Sequence, residues 1–166
     1  MVNQTGILKK FRKNFCSFEE IWLFTQIFFS IIVLPIMLRL FTIPRLMRML
    51  TPRNMKVYQD LEPKKLKTKA VKFTDYILSR NFLMSKNTCL KRSIVLYHFL
   101  RKLGIDVHIC FGVRYNERLS DRETKKRLEG HAWLLYHGNI FLERNVEITK
   151  IYTLTYCFPE KMEQIG

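Results

Sequence analysis

Acidic residues are scarce in this chain. Against 29 lysines and arginines stand only 14 aspartates and glutamates, which leaves a net charge of +15 over 166 residues. A field of that sign favours an anionic partner, whether nucleic acid, acidic phospholipid or acidic peptide. Charge alone does not choose among them, and a compositional bias toward lysine produces the same number with no partner at all. Closely spaced cysteines are missing too. Cys16, Cys89, Cys110 and Cys157 are scattered, with no C-x-x-C pair. That spacing argues against a structural zinc site and against a disulfide framework. It fits a reducing, cytoplasmic compartment. No small-residue cleavage site follows the first apolar run, so a removable signal peptide is not expected. Internal repeats and low-complexity tracts are absent. The length suits one ordinary domain with its own core.

Two regions differ in character. Residues 1–86 are read as a basic and apolar helical region, and residues 87–166 as a catalytic core. Within the first, Ile21–Leu38 is almost wholly apolar and lies at the lower edge of what crosses a bilayer, roughly 17–25 residues. Lys9, Lys10, Arg12 and Lys13 precede it, and Arg39, Arg45, Arg48 and Arg53 follow, so positive charge gives no orientation. Thr25, Gln26, Ser30 and Pro35 suit a helix packed on protein better than one in lipid, and Pro35 is expected to kink it. The expectation is a buried or membrane-surface helix, with peripheral membrane contact. After Pro63, Val71, Phe73, Ile77 and Leu78 predict an amphipathic helix over 63–80.

Beyond residue 87 the pattern sharpens. Leu90, Ile94, Tyr97 and Leu100 form one stripe of a helix from Cys89 to Lys102, with Gly104 just past its end. Alternation of Ile105, Val107, Ile109, Phe111 and Val113 predicts a strand with one buried face. Tyr115 to Leu128 is charged and aperiodic and reads as a long surface loop. Two further strands, Gly130–Leu135 and Asn139–Glu143, flank Tyr136-His137-Gly138. Read as a three-residue hairpin loop, this turn pairs Leu135 with Asn139 and so His131 with Glu143. Directly opposed residues share a face, their β-carbons about 4.5–5.5 Å apart. The other face then carries Ala132, Leu134, Tyr136, Ile140 and Leu142. A two-residue His137-Gly138 turn would send Glu143 to the face opposite His131. The expected fold class is α+β.

This arrangement suggests chemistry. Cys89 falls in the first turn of its helix, where unpaired N–H groups and the dipole favour an anion, and Asn87 or Thr88 can cap that turn. His131 can take the thiol proton and return it to a leaving amine. Glu143 can orient the imidazole. The Cys89 N–H, with the Asn87 side chain, is a candidate oxyanion hole. A lone cysteine is ordinarily an inert small hydrophobe. That is the reading for Cys16, Cys110 and Cys157, whereas Cys89 is singled out by its combination with His131 and Glu143. His108 alternates with an apolar face and His137 sits in the turn, so neither is taken as the base. Trp133 is read as a packing residue supporting the site.

The same residues resemble a known family. Asn87, Cys89, Leu90, Arg92 and Ser93, then Leu100, Arg101, Gly104 and Ile105, then Phe111-Gly112-Val113 and Gly130-His131-Ala132-Trp133, resemble the lasso-peptide leader peptidases. Those are transglutaminase-like cysteine peptidases, the protease half of split maturation proteins. The resemblance covers roughly residues 87–155, with a less specific likeness in the apolar segment ending near Pro44. It implies a transglutaminase-like, papain-like core with an N-terminal helical extension, Cys89 as nucleophile and His131 as base. The family's third residue is usually an aspartate, and Glu143 departs from it. The implied function is removal of the leader from a ribosomally made precursor through a thioester. The implied partners are the precursor peptide, a small leader-binding protein and an ATP-dependent lasso cyclase. No metal or organic cofactor is implied, and no specific nucleic acid is expected. Two other classes stay open. One is acyl transfer to an amine acceptor on the same site, and the other is a non-catalytic basic adaptor for membrane or nucleic acid.

Overall fold

The computed structural model describes residues 18–52, 63–79, 88–116 and 127–160. Among the described residues, nine elements run in the order α1 (Phe18–Leu40), α2 (Ile43–Leu50), α3 (Pro63–Ser79), α4 (Thr88–Lys102), β1 (Val107–Asn116), β2 (Arg127–Tyr136), β3 (Asn139–Phe141), α5 (Val146–Lys150) and β4 (Thr153–Phe158). The strands form one antiparallel sheet in the order β3-β2-β1-β4. The fold is α+β, with the N-terminal helices laid against the helix that carries Cys89.

Burial explains this architecture. Ile94, Val95, Leu96, Tyr97, Phe99 and Leu100 of α4 are all buried, on more than one side of the helix. Such a helix must be covered on both flanks. Val107, Ile109, Phe111, Ala132 and Leu134 from the sheet belong to its core, as do Ile27, Ile31, Leu34, Ala70, Phe73 and Ile77 from α1 and α3. One hydrophobic core therefore draws on residues from both sides of position 87. Helix α4 stops at Gly104, whose φ of 79° suits glycine. There the Ile105 N–H donates to the Leu100 carbonyl at 3.0 Å and the Gly104 N–H to that of Arg101 at 3.0 Å, a left-handed cap.

Helix α1 runs unbroken through Pro35. It is fastened on one side by the Glu20–Lys69 ion pair, by the Lys102 Nζ bond to Gln26 Oε1 at 2.8 Å, and by Phe24 set edge-on to Phe73 at 5.4 Å. Thr25 and Ser30 return their hydroxyl protons to the Ile21 and Gln26 carbonyls of the same helix, each at 2.8 Å. The outer stripe of Phe18, Trp22, Phe29, Val33, Ile36 and Leu40 is exposed. This helix is long and apolar enough to cross a membrane.

Two expectations need correction. First, Cys110 and Cys157 are joined by a disulfide. They face each other in the β1–β4 register, with Cα atoms 4.2 Å apart. Their separation of 47 residues hides that adjacency from any spacing rule. The compartment argument drawn from scattered cysteines therefore does not stand by itself. Second, the hairpin turn has two residues, not three. Tyr136 pairs with Asn139, Leu135 with Ile140 and Leu134 with Phe141. His137 and Gly138 both take positive φ, 48° and 76°. That is the backbone a two-residue turn requires to match the twist of its strands. The expected apolar face changes accordingly. Phe141 joins the core with Leu134, while Ile140 packs with Trp133 and Leu135 on the other side. Strands β1 and β2 extend to Asn116 and Arg127, so only residues 117–126 of the expected loop remain, outside the described residues. Helix α5 and strand β4 had no counterpart in the sequence reading.

Candidate active site

Strand alternation on β2 sends Ala132 and Leu134 into the core and His131, Trp133 and Leu135 to the opposite face. There the His131 ring stacks against Trp133, with centroids 5.9 Å apart, and lies 4.9 Å from the ring of Tyr152. Trp133 is nearly buried and, with Cys110 and Leu135, forms a small apolar cluster that backs the imidazole. Its indole crosses directly over Gly112, the residue opposite His131 on β1. A β-carbon there would lie 2.8 Å and 2.9 Å from Trp133 ring atoms and 2.7 Å from the Thr153 carbonyl. Only glycine leaves room for the indole.

The shorter turn reverses the expected parity, yet Glu143 still reaches His131. Its Oε2 lies 3.7 Å from His131 Nε2, with both side chains largely shielded. The reason is Leu142. Strand β3 ends at Phe141, and Leu142 takes φ 57°, the left-handed region. Phe141 and Leu142 consequently both pack toward the main core. That break in alternation shifts the chain by one position, and Glu143 emerges beside the imidazole. The expected contact is present by a different backbone route.

A residue the sequence reading overlooked completes this side of the ring. Thr149 Oγ1, on the buried face of α5, sits 3.4 Å from His131 Nε2. Its own proton goes to the Asn145 carbonyl at 3.1 Å, so toward the imidazole it accepts. Thr149 Oγ1 is thus within hydrogen-bond reach of Nε2, whereas Glu143 Oε2 at 3.7 Å lies beyond it and acts on the ring as a nearby charge. Helix α5 is itself set by Asn145, whose side chain accepts from the Ile148 N–H at 3.2 Å.

Cys89 occupies the first turn of α4, half-buried, and is the free cysteine among the described residues. One turn later, Ser93 Oγ donates to the carbonyl of Ala132 at 2.8 Å, tying α4 to the strand position next to His131. Residues four apart share a helix face, so Cys89 lies on the side of α4 that Ser93 fastens to β2. Tyr152 lies beside the imidazole. Its phenol is pushed above the ordinary tyrosine value, first by burial, with Arg114 opposing and the charges of Glu129 and Cys89 adding to the rise. Asn87 lies outside the described residues.

Burial holds the His131 imidazole below the ordinary histidine value, the Glu143 carboxylate pulls it up, and the Arg114 guanidinium pushes it down. Arg114 is held by Glu129, at 2.9 Å from Nε and 2.8 Å from Nη2, with its guanidinium 4.8 Å from the Tyr152 ring centre. No group of three or more His, Cys, Asp or Glu side chains among the described residues is placed to hold a metal ion.

The comparisons agree with this geometry at the level of the family. The model of the transglutaminase-like superfamily matches residues 31–155, from within α1 to within β4. The chain belongs to the transglutaminase-like superfamily. Its members are typically cysteine-dependent enzymes, and they include both peptidases and acyltransferases. No curated protein and no solved structure gives a significant match.

Proposed function

We propose that this protein is a cysteine peptidase that removes the leader from a ribosomally made lasso precursor peptide. One observation carries the reading furthest: an imidazole flanked by Glu143 and Thr149, in a transglutaminase-like fold with Cys89 at a helix start. The lasso specificity rests on the motif resemblance around Cys89 and His131. In the reaction, His131 takes the Cys89 proton and the sulfur attacks the scissile carbonyl. The imidazolium then protonates the departing amine, which leaves as the new N-terminus of the core peptide. Water, deprotonated by His131, opens the thioester and releases the leader carboxylate. The Cys89 N–H, with Asn87, takes the oxyanion role, and Trp133 supports the ring. The partners on this reading are the precursor, a small leader-binding protein that presents it, and the cyclase that closes the released core.

The test uses full-length protein with precursor and leader-binding protein. Cleavage should vanish in Cys89→Ala, and iodoacetamide should label Cys89 ahead of the other cysteines. Full cleavage by the alanine variant overturns the reading. A product carrying an added amine instead of water would assign the site to acyl transfer. Retained cleavage-independent, salt-sensitive binding to nucleic acid or vesicles, with no thioester chemistry, would make the chain an adaptor.

The same reading places the protein in the cytoplasm, although a Cys110–Cys157 disulfide is more usual in oxidising compartments. Helix α1 would then lie on the membrane surface. Its inner side is committed to the core, whereas its outer side is a continuous apolar stripe with exposed Arg39, Arg45 and Arg48 at one end. Release from membranes by carbonate or high salt supports a surface helix, and retention until detergent is added overturns it.

A further inference from the structure

We infer that Arg92 is the positioning residue for Glu143, acting by holding the backbone of Leu142 in its left-handed turn. The inference rests on the proposed pairing of His131 with Glu143 and adds the group that sets it. A left-handed conformation strains a non-glycine residue, so something outside the turn must hold Leu142 there. Arg92 Nη1 donates to the Leu142 carbonyl at 2.9 Å. The guanidinium is itself fixed from the other edge by Asp75 of α3, with Nε to Oδ1 at 2.7 Å and Nη2 to Oδ2 at 3.4 Å. A fork gripped on two sides is a rigid strut. Arg92 is also well shielded, with 13% of its side chain exposed, so water competes little for these bonds.

Beyond Leu142 the linkage continues to the imidazole. Glu143 Oε1 accepts the Arg144 backbone N–H at 3.2 Å, which leaves Oε2 to face His131 Nε2. Arg144 also approaches Asp75, at 3.4 Å, but its side chain is 73% exposed and makes a poor anchor. The location of Arg92 gives the arrangement its meaning. It stands on α4, three residues after Cys89, and Ser93 beside it grips the Ala132 carbonyl next to His131. The helix that carries the nucleophile therefore also fixes the strand of the base and the turn of the carboxylate. Arg92 and Ser93 thus tie the helix of Cys89 to the segments that carry the other two groups.

The experiment follows the His131 ring by NMR titration in the full chain, with the signal assigned by its loss in His131→Ala. The charged groups facing that ring are Glu143 and Arg114. Glu143→Gln should lower the titration midpoint, because the carboxylate holds it up. Arg92→Gln should lower it by the same amount, and the double variant by no more than either. Precursor cleavage should fall in parallel, by about 10²-fold for a misplaced group of this kind, and no further in the Glu143→Gln background. Arg92→Lys keeps the charge but cannot span both partners, so it should give the same shift and serves in place of Arg92→Gln if that variant fails to fold. An unchanged His131 midpoint in the folded Arg92 variants, with Glu143→Gln still shifting it, overturns the inference. Additive losses in the double variant overturn it as well, since they mark a general structural role. A midpoint unmoved by Glu143→Gln overturns the His131–Glu143 pairing, separately from anything Arg92 does.

Discussion

The two faces of strand β2 sit a few ångströms apart and answer to different physics. On one, Ala132 and Leu134 are sealed into the core with α4, and their value lies in excluded water. On the other, His131 stands against Trp133 and Tyr152, within reach of Glu143, Thr149 and Arg114, and its value lies in hydrogen bonds and charge. The sheet thus separates stability from chemistry residue by residue. The separation is sharp enough to break by experiment. Leu134→Ala, at a position 1% exposed, should cost about 2–5 kcal/mol of stability through the cavity it leaves. His131→Ala, three residues earlier and part-exposed, should abolish turnover while changing the denaturation midpoint little. Chemical denaturation and a cleavage assay on both variants decide it. A large stability loss in His131→Ala would mean that the outer face is structural as well.

Gly112 tests where the two faces stop being independent. An alanine there meets the Trp133 ring and the Thr153 carbonyl at distances real β-carbons do not adopt. The indole or β4 must move. Overpacking of this kind costs about 1–3 kcal/mol. Because Trp133 stacks on His131, Gly112→Ala should also lower turnover, by more than its stability loss accounts for, whereas Leu134→Ala should not. A Gly112→Ala protein with normal kcat and only a reduced melting temperature would show that Trp133 does not hold the imidazole.

How much of this was legible beforehand follows from which forces are local. The helix after Thr88, its glycine stop at Gly104 and the buried alternation of Val107, Ile109 and Phe111 are set by period and capping, which sequence displays directly. The hairpin turn was not, because a histidine in the left-handed region is uncommon and both loop lengths left a plausible apolar face. The loss of parity at Leu142 was invisible, since it depends on Arg92 from a helix 50 residues away. Thr149 and Tyr152 stand on a short helix and turn with no amphipathic signature. The Cys110–Cys157 pair depends on register between β1 and β4, strands separated by two others in the chain.

The smallest expected effect compares two histidines. His98 lies against α2, donating from Nδ1 to the Leu50 carbonyl at 2.6 Å, and His131 lies on the outer face of the sheet. Burial holds both below the ordinary histidine value. The Leu50 bond raises His98 and Lys102 lowers it, while Glu143 raises His131 and Arg114 lowers it. In the unfolded chain both titrate near 6.5. Below that pH the unfolded state therefore binds more protons than the folded one, and stability must fall as pH drops through 6.5 toward the depressed folded values. Urea midpoints at neutral and mildly acid pH should show that decline. Arg114→Gln should lift the His131 midpoint toward 6.5 and soften the decline, leaving His98 where it is. The charge of Arg114 is shared with Glu129, so the shift is small. A His131 midpoint that stays put or drops in Arg114→Gln would show that the guanidinium does not hold that ring down.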